Sequence, residues 1–159
     1  MARVLIVGCG CRGQALGAAL AGAGHAVRGT SRSPERVGEL EGLGIEGVVA
    51  DPDRLGTVMP ALGGVTVVCW LMGSAQASPD VHGARLRSLV EHLVDTPVRG
   101  LVYEAAGTVD AALLAEGASI VHEASHTWHI PVEMVDTEPT SPGDWLEAMK
   151  AAVDRLLAA

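Results

Sequence analysis

Val4-Leu5-Ile6-Val7-Gly8-Cys9-Gly10-Cys11-Arg12-Gly13 decides the fold of this chain. Four consecutive aliphatic residues mark a strand buried on both faces, because a strand with one wet face alternates apolar and polar residues. The run ends in a GxGxxG pattern. Gly8 permits a tight turn, Gly10 lets a pyrophosphate approach the backbone, and Gly13 lets the next helix pack close to the sheet. Leu16, Ala19, Leu20 and Ala23 recur at helical spacing from about Cys11 to Ala23, and Gly24 supplies a left-handed residue to end that helix. The helix N-terminus offers free N–H groups and a positive dipole end to phosphates. In a chain with 20 glycines the pattern alone is weak. Its place between strand and helix is what marks a dinucleotide site.

Outward from this unit, apolar runs of strand length alternate with helical segments, as in a parallel sheet covered by helices. Ala26 to Gly29 is a short second strand, and Ser33-Pro34 opens a helix as N-cap and first helical residue. Further strands are expected at about Gly47 to Ala50, Val65 to Leu71, Arg99 to Ala105 and Ile130 to Val135. Between them lie helices from about Asp53 toward Pro60, Val81 to Asp95 and Val109 to His129. Ser141-Pro142-Gly143-Asp144 has capping-box spacing and starts a terminal helix. With right-handed crossovers, the expected fold is a single doubly wound α/β Rossmann domain over residues 1–159, a six-stranded parallel sheet of order 3-2-1-4-5-6.

Composition bounds the function. Hydrophobic residues make up 48% of the 159 and charged residues 19%, a globular balance. The net charge of −8 and the single lysine, Lys150, argue against nucleic acid, which needs concentrated cations. No apolar run reaches the roughly 20 residues of a membrane span. Met1-Ala2-Arg3 leads directly into the first strand, which leaves no room for a signal peptide. Cys9, Cys11 and Cys69 form no disulfide framework, so a reduced, cytoplasmic setting is expected.

The end of the second strand discriminates between dinucleotides. A site for NAD usually has an acid there, about 20 residues beyond the loop, to hold the ribose 2′-hydroxyl. Here Gly29-Thr30-Ser31-Arg32-Ser33 contains none. Thr30, Ser31 and Arg32 suit a 2′-phosphate, with Arg12 approaching from the other side, so NADP(H) is preferred over NAD(H). The plainer alternative makes Arg32 a solvated turn residue and the serines helix caps.

These residues resemble the atypical and extended short-chain dehydrogenase/reductases: Val7 to Gly13, Gly24-His25-Ala26-Val27, Thr30 to Pro34, and Ala50-Asp51-Pro52-Asp53 followed by Leu55. The resemblance implies that Asp51 contacts the adenine and that Pro52 shapes its pocket. It also implies a homodimer through the helices flanking strands four and five. It extends from Arg3 to about Val109 and departs where catalysis should be. Extended members end strand five in a pattern like Val-Tyr-x-Ser-Ser. This chain has Val102-Tyr103-Glu104-Ala105-Ala106, and Gly107 stands where a lysine should follow the reactive tyrosine. The usual Ser-Tyr-Lys relay is therefore not assembled.

Two functions follow. One is an NADP-dependent oxidoreductase acting on an unknown small molecule, with Tyr103, Glu104 and Asp110 as catalytic candidates at the C-terminal end of strand five; a desolvated carboxylate there could serve as acid or base. The other is a non-catalytic nucleotide sensor or interaction module. Leu71, Met72 and Gly73 border the expected cofactor channel, or else pack in the core. The Ser74–Pro79 loop is either a lid over the nicotinamide or an ordinary connection. His122-Glu123-Ala124-Ser125-His126 matches HExxH, but with His129 it lies opposite the apolar stripe of Leu113, Gly117, Ile120, Ala124 and Trp128. No catalytic zinc is expected from it, a surface metal site being the alternative. Cys9 and Cys11 read as small residues in a crowded turn, with redox gating as the alternative.

Overall fold

The aliphatic run forms the centre of the sheet in the computed structural model, which describes residues 2–159. It is β1 (Arg3–Val7), followed by α1 (Cys11–Gly22), β2 (Ala26–Ser31), α2 (Pro34–Gly42), β3 (Glu46–Val49) and a short α3 (Leu55–Val58). Then come β4 (Val67–Trp70), α4 (Ala84–Leu93), β5 (Gly100–Glu104), α5 (Ala111–Trp128), β6 (Val132–Val135) and α6 (Pro142–Ala158). All pairings are parallel, and the strand order is 3-2-1-4-5-6. The order reverses between β1 and β4, where open α/β sheets bind ligands.

Alternation along each strand feeds two separate cores. Leu5, Val7, Val68, Trp70, Leu101 and Tyr103 point to one face, against Leu86, Leu89, Val90 and Leu93 of α4 and Ile120, Val121 and Ala124 of α5. Val4, Ile6, Val67, Cys69 and Val102 point to the other, against Leu16 and Leu20 of α1, Leu40 of α2 and Trp145, Met149 and Val153 of α6. Val4 to Val7 are wholly buried, so the absence of a polar residue in that run reflects two dry faces.

Several local expectations shift. β2 runs two residues further than Gly29 and draws Thr30 into the strand. Val65 to Leu71 shortens to β4, although Thr66 N–H and Leu71 N–H still donate to Arg3 and Val7 carbonyls. Ser33 caps α2 as expected, accepting from Arg36 N–H. Ser141 does not cap α6 with its side chain; only its carbonyl serves, accepting from Trp145 N–H. The buried stripe of α5 is Leu114, Gly117, Ile120, Val121 and Ala124. Leu113 is half-buried and Trp128 is exposed, while Gly117 faces Tyr103, where a Cβ would collide with the tyrosine hydroxyl. No helix among the described residues is long and apolar enough to cross a membrane.

Candidate functional site

A cavity of about 530 Å³ opens at the reversal point, beside the glycine loop. Gly8 makes the turn with φ +86°, and any side chain there would run into the Leu71 carbonyl. Gly10 differs: its φ of −81° suits any residue, and a Cβ on it would meet no protein atom within 4 Å. Neither backbone strain nor packing demands glycine there, so the room beside it is free for a ligand. The N-terminus of α1 follows, with no side chain capping its first amides.

Around the loop the cavity takes Thr30, Ser31, Arg32, Ser33 and Arg36 from the β2–α2 side, Ala50 and Pro52 after β3, and Leu71, Met72 and Ser74 to Ala77 after β4. Arg12, Arg32 and Arg36 line it, and no carboxylate does. In a chain of net charge −8, the lining is locally cationic. Arg36 escaped the sequence reading. It stands four residues after Arg32, one helical turn into α2, and that spacing was the available signal.

The expected residues divide by role. Gly8, Gly10, Cys11, Arg12, Gly13, Ser31, Arg32, Pro52, Leu71 and Met72 border the cavity. Thr30 borders it too but is almost wholly buried; its hydroxyl accepts Gly8 N–H at 3.2 Å, and its carbonyl accepts Cys9 N–H at 2.9 Å. Thr30 therefore pins the glycine loop. Asp51 is not in the lining. Its carboxylate accepts Asp53 N–H at 2.9 Å, turning the chain so that Pro52 faces inward instead. Gly73 is not in the lining either, since its N–H is spent on Glu104.

Arg12 turns toward β5 rather than β2. Its Nη2 lies 3.5 Å from Glu104 Oε2, and its guanidinium sits 5.5 Å from the Trp145 ring centroid. Its Nε is buried without a partner.

The catalytic candidates lie away from the cavity. Glu104 has no exposed surface; Oε1 accepts Gly73 N–H at 2.8 Å, and Oε2 accepts Trp145 Nε1–H at 2.9 Å. Burial pushes its carboxyl above the ordinary range, while Gly73, Arg12 and Trp145 pull the other way. Tyr103 points into the opposite core. His82 Nε2 faces the Met72 carbonyl at 3.0 Å and so carries the proton, leaving Nδ1 to accept the Tyr103 O–H at 2.6 Å. Burial raises the Tyr103 phenol and lowers the His82 imidazole, so both stay neutral at pH 7. Asp110 is the exposed N-cap of α5, accepting from Ala112 N–H.

His122, His126 and His129 are all exposed on the outer side of α5 and its end. Cys9 is buried against Gly29, and desolvation pushes its thiol up to about 12, whereas Cys11 is exposed.

A scan against known protein families and a search of curated proteins both return no match. Solved structures do resemble the chain. Serine dehydrogenase from Escherichia coli superposes with TM-score 0.73 and 18% identity, over 93% of this chain and 89% of that one. An NAD-bound short-chain dehydrogenase/reductase superfamily protein from Agrobacterium tumefaciens gives 0.67 and 21%, over 84% of this chain and 48% of that one. UDP-glucuronic acid 4-epimerase from Bacillus cereus, bound to NAD, gives 0.63 and 15%, over 83% and 55%. The chain thus spans about half the length of the last two. Such distant likenesses speak to architecture alone: the chain has the Rossmann fold seen in short-chain dehydrogenase/reductase and epimerase structures.

Proposed function

We propose that this chain binds an adenine dinucleotide and prefers NADP(H). The carrying observation is the pair Arg32 and Arg36 in the cavity lining at the β2–α2 turn, where an NAD site holds an acid and this lining has no carboxylate. The pyrophosphate would lie against Gly10 and the first turn of α1. Arg32 and Arg36, with the Ser31 and Ser33 hydroxyls, would receive the 2′-phosphate, and Pro52 and Ala50 would border the adenine. The bound nicotinamide supplies hydride chemistry in proteins that use it; the residues of this chain bind and orient. Two of the similar structures were determined with NAD, which supports a dinucleotide as the class of ligand.

The burial of Tyr103 and Glu104 and the capping role of Asp110 favour a binding protein over an oxidoreductase of the usual relay type. Isothermal titration tests the preference. NADPH is expected to bind more tightly than NADH, and Arg32→Ala to lower NADPH affinity about 10- to 100-fold, the scale of one charge-assisted contact. NADH affinity should move little. Equal affinities in the wild type overturn the preference.

A further inference from the structure

A dinucleotide in this fold spans two mononucleotide halves, one on β1-β2-β3 and one on β4-β5-β6. The cavity serves the first. Its lining includes residues following β1, β2, β3 and β4, and none from β5, β6 or their loops. The reason is visible between the ends of β4 and β5. A Cβ on Gly107 would collide with the Gly73 carbonyl, and one on Gly73 with the Ala106 carbonyl. Gly107 also has φ +149°, so the two turns meet backbone to backbone. Three hydrogen bonds hold them shut: Val109 N–H to Gly73 O at 3.0 Å, Thr108 N–H to Ser74 Oγ at 3.1 Å, and Gly73 N–H to Glu104 Oε1 at 2.8 Å.

The segment after Gly73 then leans the other way. Ser74 to Ala77 line the cavity, and Ser78 N–H donates to Asp53 Oδ2 at 3.0 Å, beyond β3. The strap is thus tied at one end to the β5 turn and at the other to the β3–α3 turn. It roofs the first half and closes off the second.

We infer that this chain recognises only the phosphorylated adenosine diphosphate half of its ligand, because the joined β4 and β5 turns fill the place of the second mononucleotide. This rests on the reading of the cavity as a dinucleotide site. The nicotinamide riboside extends from the last phosphate into solvent and adds no binding contact. An NADP(H) molecule and a 2′-phospho-ADP-ribose present the same recognised chemistry, and the protein reports their summed concentration rather than the redox state of the ring.

Calorimetry with the full chain separates the possibilities. NADP+ and 2′-phospho-ADP-ribose should bind with Kd values within about threefold, and nicotinamide mononucleotide at millimolar concentration should not compete. Bound NADPH should keep the emission maximum of the free molecule, since its ring stays in water. A tenfold or greater loss on removing the nicotinamide riboside overturns the inference. So does competition by the mononucleotide, or a blue-shifted NADPH emission. In those cases the dinucleotide reading survives. If neither NADP+ nor 2′-phospho-ADP-ribose binds the folded protein, both fall together.

Discussion

The two halves of the sheet share one construction and differ in what stands at their C-terminal ends. Behind β1, β2 and β3 the turns are glycine, hydroxyl and guanidinium, and a Cβ on Gly10 would meet empty space. Behind β4 and β5 a Cβ on Gly73 or Gly107 would meet a carbonyl, and a buried carboxylate ties three segments together. Glycine therefore serves opposite ends: in the first half it leaves room for something that is not protein, and in the second it lets protein fill the room.

That contrast breaks most visibly by substitution. Glu104→Ala strands the Gly73 N–H and the Trp145 Nε1–H in a dry site, and should cost about 3–5 kcal/mol in urea denaturation. Gly10→Ala should cost no more than about 0.5 kcal/mol, since its backbone suits alanine, yet lower nucleotide affinity at least tenfold. A Gly10→Ala protein that unfolds as readily as Glu104→Ala would erase the distinction between the halves.

The first half was legible in the sequence because its determinants are local. An unbroken aliphatic run, a glycine pattern and Ser33-Pro34 act on residues within one or two turns of themselves. Tyr103 and Glu104 were not legible, because their roles depend on distant partners. Glu104 meets Trp145, 41 residues later, and Arg12, 92 residues earlier. Tyr103 is accommodated by a glycine in α5 and satisfied by His82. At the end of β5 both read as chemistry available to a ligand; in the structure both are wholly buried. The stripe of α5 differs at two positions, Leu113 and Trp128, in whose place Leu114 and Val121 are buried beside Gly117, Ile120 and Ala124.

A middle-sized effect sharpens the role of the second half. Tyr103→Phe leaves His82 Nδ1 without its donor and should cost about 1–2 kcal/mol, with NADPH affinity unchanged. His82 also makes this half sensitive to acid. Its lowered pKa means that the unfolded chain binds the proton more readily, so its contribution is full above about pH 6.5 and is lost as pH falls through the lowered folded value. Denaturation midpoints measured between pH 7.5 and 5 should decline, and His82→Gln should flatten part of that decline. An unchanged pH dependence in this variant would show that the His82–Tyr103 pair does not couple to folding.

The smallest effect belongs to neither half. His122→Ala with His126→Ala should leave both stability and nucleotide affinity within error, because both rings are exposed. Stoichiometric zinc in the untagged protein, lost in the double variant, would give that face a purpose of its own.

The Glu104 carboxylate also bears on the order in which the chain assembles. Its three donors come from Arg12, Gly73 and Trp145, and the last lies in α6. Until that helix docks, a charged group at the tip of a central strand has no indole to face and keeps its water. During synthesis from the N-terminus, the β4 and β5 turns can therefore pair early but cannot be sealed until residue 145 arrives. The glycine loop, tethered through Arg12 to the same carboxylate, acquires its final rigidity at that late moment. Pulse-labelled hydrogen exchange at the Gly73 amide during refolding reads this timing directly, and early protection, ahead of Trp145 burial, would contradict it.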